Sequence, residues 1–135
     1  MIRTTRSKLV VSACAALAAL AVIALPALPA LAGGTQVVKI PSRVRVADHP
    51  PAFHGRVRSP RHACEVHRIV KMFRKESGPD VFLGKDRTDR RGRWEVDVSP
   101  LVSGAYYAKV RRREEGTAGT IFVCKSDKSP LVIVD

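Results

Sequence analysis

The chain has 135 residues, 24 of them Lys or Arg against 12 Asp or Glu, and a formal net charge of +12 at pH 7. That length suits one domain around one core, and the lack of an internal repeat or low-complexity tail sets repeat architectures aside. The charge excess points, if to any partner, to an anionic one.

Arg3, Arg6 and Lys8 open the chain without an acid. Residues 9–25 are apolar apart from Ser12, Pro26 and Pro29 break the run, and Ala30-Leu31-Ala32 puts small residues where a signal peptidase reads. This order predicts a signal peptide over residues 1–32, helical in its apolar part and cleaved after Ala32. The alternative is an uncleaved membrane anchor, because the run is long for a signal; the prolines and the cleavage triplet argue against it. Cys14 lies near the start of the run and not at its end, which argues against lipidation. The segment holds three basic and no acidic residues, so its removal leaves 103 residues carrying +9. Two cysteines remain, Cys64 and Cys124. An even count in an exported chain favours a disulfide, and a monomer allows one pairing.

Residues 33–52 read as an N-terminal extension with a first edge strand, its runs 36–40 and 43–46 interrupted by Pro41. Residues 48–51 form a corner, and residues 53–135 read as the sandwich domain. Phe53, Gly55 and Val57 alternate with His54, Arg56 and Arg58, the pattern of a half-buried strand. Residues 64–75 give the longest predicted strand, with Cys64, Val66, Val70 and Met72 on one parity and Ile69 and Phe73 on the other; β-branched Val66, Ile69 and Val70 favour it over a helix. A short strand follows over 80–84. Asp89-Arg90-Arg91-Gly92 is a hairpin turn with glycine at its left-handed position. Trp94, Val96 and Val98 then alternate with Arg93, Glu95 and Asp97. Tyr106, Ala108 and Val110 face inward, Tyr107 and Lys109 outward. Residues 111–116 read as a charged turn, and 121–134 as one final strand kinked around 125–130. About seven strands with regular turns and no helix after the signal predict an all-β Greek-key β-sandwich. The expected core is Phe53, Val57, Val70, Met72, Trp94, Val96, Tyr106 and Val110, with Tyr106 as a corner tyrosine bonding its hydroxyl to nearby backbone.

Phe53-His54-Gly55-Arg56-Val57-Arg58-Ser59, Cys64 with Arg68-Ile69-Val70-Lys71-Met72-Phe73-Arg74, and Gly78-Pro79-Asp80 with Leu83-Gly84 form a pattern. Thr88-Asp89 with Gly92-Arg93-Trp94, Gly104 with Tyr106-Tyr107-Ala108-Lys109-Val110, and Cys124 with Ser129 continue it. The pattern, over residues 53–134, resembles small secreted actinobacterial Ig-like or prealbumin-like domains and, more widely, carboxypeptidase regulatory-like domains of transthyretin-type fold. The resemblance implies that sandwich and a Cys64–Cys124 bond. It implies no chemistry and transfers no functional site.

His62, Cys64 and His67 invite a metal reading, with His49 and His54 as remote contributors. On a strand His67 would point away from the other two, and Cys124 competes for the thiolate zinc needs, so no metal site is expected. No Gly-x-Ser-x-Gly element is present and Cys64 is better explained as half a cystine. Asp86, Asp89, Glu95 and Asp97 could pair as glycosidase carboxylates, yet turn and strand parity account for them. Asp86 and Asp89 also lack the oxygen-rich loop calcium requires. No catalytic residue and no cofactor are therefore expected.

The basic residues are the better functional candidates. Arg56, Arg58 and Arg61 leave one strand, Arg87, Arg90, Arg91 and Arg93 surround the hairpin tip, and Lys109 leads into Arg111, Arg112 and Arg113. Such clusters bind polyanions by releasing counterions, or simply form a solvated face. Nucleic acid is disfavoured, because no exposed aromatic ladder extends beyond Tyr107 and Phe73. Ile69, Phe73 and Tyr107 are candidates for an interface, and Trp94 and Tyr106 read as core and not as a sugar platform. The expectation is a secreted, non-enzymatic module with a structural, adhesive or ligand-binding role and no membrane attachment after cleavage. The alternative is a small secreted inhibitor or a binder of polyanionic cell-envelope polymers through the arginine-rich loops. A metal-dependent or hydrolytic protein ranks below both. The expected partner is an envelope polymer or another secreted protein.

Overall fold

The structure, a computed structural model, describes residues 33–47 and 52–135. The signal peptide expected over residues 1–32, with Cys14, and the corner expected at 48–51, with His49, lie outside the described residues. The described chain is all-β: β1 (Gln36–Ile40), β2 (Arg43–Ala47), β3 (Ala52–Arg58), β4 (Ile69–Arg74), β5 (Val81–Arg87), β6 (Arg93–Asp97), β7 (Gly104–Val110), β8 (Arg113–Thr117), β9 (Thr120–Cys124), β10 (Asp127–Lys128) and β11 (Val132–Val134). A 3-10 turn at His62–Cys64 is its one helical element, and no described helix is long and apolar enough to cross a membrane.

The largest sheet runs β5–β4–β7, with β10 and β11 both paired to β7. A second sheet is β2–β3–β6, and a third is β1–β9–β8, in which β1 and β9 run parallel. The first two sheets enclose the core in sandwich fashion. Phe53, Val57, Val70, Met72, Trp94, Val96, Tyr106 and Val110 are all buried, with Val44, Val98 and Ala108 among them. The rings of Phe53 and Tyr106, one from each sheet, stack at 4.9 Å between centroids. Apolar residues at every second position put one face of each strand into this layer, where removal from water favours burial by about 25 cal/mol per Å². The Tyr106 hydroxyl donates to the Val102 carbonyl, so the buried phenol keeps a partner. The Ser99–Pro100 peptide ahead of β7 is cis.

The turn expected at Asp89–Gly92 is present, yet it is not a hairpin: it carries the chain from β5 of the largest sheet to β6 of the second, and the two strands do not pair. Gly92 has φ +73°, and a Cβ there would lie 2.6 Å from the Val57 carbonyl oxygen. Glycine is the residue that tolerates both conditions. Cys64 and Cys124 form a disulfide with Cα atoms 5.3 Å apart, tying the 3-10 turn to the end of β9.

Several sequence expectations are corrected. Eleven strands are present among the described residues where about seven were expected. The strand expected over 64–75 begins only at Ile69, because the preceding residues coil around the buried Arg68 side chain. His67 takes φ 54°, and the Thr88 hydroxyl donates to the Glu65 carbonyl while accepting from the Arg68 N–H. The runs on either side of Pro41 are not one strand. Proline supplies no N–H to a ladder, and the chain passes from β1 in the third sheet to β2 in the second.

The charged turn at 111–116 is mostly strand β8, paired to β9 with Arg113 opposite Cys124 and Glu115 opposite Phe122. Charge on an exposed edge strand opposes edge-to-edge aggregation. The single terminal strand is three, β9, β10 and β11. The chain leaves β9 at Cys124, and the Asp127 carboxylate then accepts the Val44 N–H at 2.8 Å, bridging β10 to β2.

Candidate polyanion-binding surface

The outward face of the largest sheet is ordered in rows by strand register. Lys85 of β5 lies opposite Lys71 of β4, Lys71 opposite Lys109 of β7, and Lys109 opposite Lys128 of β10. Four lysines thus form one row across four strands, about 14 Å long at roughly 4.8 Å per strand. Among the described residues the one lysine–carboxylate pair is Lys75–Asp80, so the row itself carries no paired acid.

The next row is aromatic: Phe82, Phe73 and Tyr107. Phe73 and Tyr107 stack at 5.3 Å with an interplanar angle of 15°, and Phe82 tilts against Phe73 at 5.7 Å. Lys128 Nζ sits 3.9 Å from the Tyr107 ring centroid and Lys71 Nζ 5.7 Å from that of Phe82. Cation–π attraction of this kind holds ammonium groups over the sheet. Tyr107 has one ring face on Phe73 and a lysine over its ring, and of the three rings only Phe82 is substantially exposed. The Tyr107 hydroxyl donates to Asp80 Oδ2 at 2.7 Å. That bond, with the Glu76 N–H and Lys75, holds the Asp80 carboxyl down at about 2. The same carboxylate, then burial, pushes the Tyr107 phenol up to about 12.

Tyr107 is therefore not the outward interface residue its parity suggested. It is 7% exposed, covered by neighbouring side chains on its own face.

The predicted arginines divide. Arg87, Arg90, Arg91 and Arg111 are exposed, and Arg87 lies opposite Ile69, in the row beyond the lysines. Arg93 pairs with Asp89 at 2.8 Å, and Arg112 pairs with Glu114. Arg113 is a structural clamp: it donates to the carbonyls of Val66 and His67 at 3.0 Å each, to that of Ala63, and to Glu115 at 2.6 Å.

The second sheet sets the expected Arg56, Arg58 and Arg93 beside two cations the sequence did not single out, Arg43 and Arg45. Arg45 faces Arg56 and Arg56 faces Arg93, while Arg43 faces Arg58. Outward parity alone marks these positions and the lysines as solvent-facing. What makes them rows is register between strands distant in sequence, and no local signal carries that.

An open cleft of about 490 Å³ is lined by His54, Asp86, Asp89, Arg93, Trp94 and Glu95, among others. Its two aspartates act as backbone acceptors. Asp86 takes the N–H groups of Arg87 and Glu95, and Asp89 takes those of Arg91 and Arg93. The Arg93 N–H, followed by that of Arg91 and the Arg93 guanidinium, lowers Asp89 to about 2. A fully ionised carboxylate committed to a turn is poorly placed for proton transfer at neutral pH.

The His62–Cys64 cluster is dispersed. Cys64 is in the disulfide, His62 Nδ1 lies 3.4 Å from Glu65, and the strand on which parity was counted does not exist there. Among the described residues no group of three or more His, Cys, Asp or Glu could hold a metal ion. No protein-family model, curated protein or solved structure matches the chain.

Proposed function

We propose that this chain is an exported, non-enzymatic β-sandwich module of Ig-like or prealbumin-like type that binds polyanionic polymers of the cell envelope on the outward face of β5–β4–β7–β10. The observation that carries the reading is the row Lys85–Lys71–Lys109–Lys128. Like charges directly opposite on adjacent strands destabilise a sheet, and three such contacts cost roughly 0.6–3 kcal/mol. A polyanion laid along the row reverses the sign of that term, and counterion release adds to it.

The neighbouring aromatic row supports the lysines and does not compete for the ligand's rings. Stacking of bases needs open ring faces, and those of Phe73 and Tyr107 are turned to each other. The reading therefore favours a polymer recognised by repeated charge, such as poly(glycerol phosphate), over single-stranded nucleic acid.

Anisotropy of labelled poly(glycerol phosphate) against salt tests it. For a polymer with the charge density of nucleic acid, four neutralised charges give a slope of log K against log salt of about −3. Lys71→Gln with Lys109→Gln should roughly halve it. Binding that ignores salt, or that survives the double substitution unchanged, rejects the proposal.

A further inference from the structure

The positive charge of the lysine row does not end at Lys128. β10 carries that lysine at the margin of the largest sheet, and β2 is a margin of the second. The two margins meet. The Asp127 carboxylate accepts the Val44 N–H at 2.8 Å, and Lys128, Arg43 and Arg45 line one depression with it. Asp127 is the one carboxylate there, and it already holds that backbone bond.

On β2 and β3 the core takes Val44 and Val57. Strand alternation therefore turns Arg43, Arg45, Arg56 and Arg58 outward. Arg43 lies opposite Arg58 and Arg45 opposite Arg56. The four make a two-by-two block, roughly 5 Å across the strands and 7 Å along them. Arg43, Arg45 and Arg58 are exposed and Arg56 is half-buried. Among the described residues none of the four has an ion pair or a guanidinium hydrogen bond. They differ in this from Arg113, whose Nη atoms are spent inside the protein. Like charges in register weaken this sheet too unless a counter-charge lies over them.

We propose that the row and the block are one track for a single polyanion strand. The strand runs over Lys85, Lys71, Lys109 and Lys128, turns the β10–β2 edge and continues over the four arginines. This rests on the polymer reading of the row and extends it to the second face. From strand and sheet spacings the path is roughly 30 Å long. Arginine suits its far end when the polymer is a phosphodiester, because the planar donors match phosphate oxygens. The partner must also be a flexible single strand. A duplex with a persistence length of about 50 nm does not turn an edge about 10 Å thick.

Anisotropy of labelled poly(glycerol phosphate) against salt tests the track. A probe of about four phosphates covers the row alone and keeps the slope of about −3, whereas one of about twenty reaches the block and should give about −6. The slope counts the charges neutralised; extra binding registers on a longer probe raise K and leave the slope alone. Arg43→Gln with Arg45→Gln, next to the edge, should flatten the long probe's slope by about 1.5, and Lys71→Gln with Lys109→Gln should do the same. Arg90→Gln with Arg91→Gln removes as much charge from an exposed turn outside the track and should change nothing.

If the lysine variant flattens the slope and the Arg43/Arg45 variant does not, the row stands and the track falls. If the lysine variant leaves the slope as it was, the row falls and the track with it. Equal flattening by the Arg90/Arg91 variant assigns binding to net charge and overturns the track. So does a rise in light scattering in polymer excess, because a chain that holds a separate strand on each face cross-links the polymer.

Discussion

Arg68 is the residue whose removal tests the account of the fold most sharply. Arg68→Met keeps an unbranched apolar stem of similar course and deletes the guanidinium. Four acceptors then lose a donor: Ser42 Oγ at 2.9 Å, the Cys64 carbonyl at 2.6 Å, and the Arg111 and Lys125 carbonyls at 2.5 and 2.9 Å. They belong to the β1–β2, β7–β8 and β9–β10 connections and to the 3-10 turn, so one side chain closes four breaks in the strand pattern. Hydrogen bonds to a charged donor contribute about 1.5–3 kcal/mol each, and against them stands the several-kcal/mol cost of desolvating the charge. Three of the four bonds are only partly buried, so water recovers part of the loss. The net expectation is a destabilisation of about 3 kcal/mol. For a domain of about 100 residues that lowers the melting temperature by roughly 12–24 °C. Arg68→Lys should fall between, since an ammonium has three donors and no planar fork. Thermal unfolding followed by circular dichroism at neutral pH measures all three proteins, with Arg90→Gln, at an exposed turn position, as a surface control. An Arg68→Met protein as stable as its parent would mean that the desolvation cost cancels the bonds, and would refute the clamp.

The disulfide and the Asp80–Tyr107 pair give two further predictions. The Cys64–Cys124 bond spans a sequence separation of 60, for which chain entropy gives about 4 kcal/mol. Cys64→Ser with Cys124→Ser should therefore melt roughly 16–32 °C lower than the oxidised parent, and equal melting would remove the bond from the stability account. The Asp80–Tyr107 pair gives opposite signs at the two ends of the pH scale. Asp80 is held below its ordinary 3.8, so its contribution is complete above that value and fades as the pH falls towards about 2. Tyr107 is held above its ordinary 10.0, so its contribution is complete below that value and fades as the pH rises towards about 12. The melting difference between parent and Tyr107→Phe should accordingly be flat from about pH 4 to 10 and shrink at either end; a difference that grows in acid contradicts the pairing.

The fold was legible where period and turn chemistry act locally. Alternation at Phe53–Val57, at Trp94–Val98 and at Tyr106–Val110 marks the buried face because a strand repeats every two residues. Asp89 and Gly92 mark their turn because φ +73° suits glycine and two N–H groups need an acceptor. The misread segments are those whose conformation is set by a partner far along the chain. Val66 has strand propensity, yet it lies in a coil built around Arg68, whose acceptors include residues 26, 43 and 57 positions away. Residues 111–116 look like a turn by charge, and become a strand because β9 offers an edge.

The site shows the same division at a higher level. Basic character was visible at once, and the arginine loops drew attention because their residues are adjacent in sequence. Adjacency is a poor guide here: Arg113 is engaged with four oxygens, whereas Lys71, Lys85, Lys109 and Lys128, scattered over 58 positions, fall into one row. A protein seeking only solubility gains by interspersing both signs over its surface. The outward face of β5–β4–β7–β10 does the opposite, lining up like charges at the shortest cross-strand spacing and placing two of them against aromatic rings. An arrangement that weakens the sheet when empty and strengthens it when a polyanion lies along it couples binding to stability. The melting temperature of the intact protein should therefore rise with added polyanion, and most steeply at low salt.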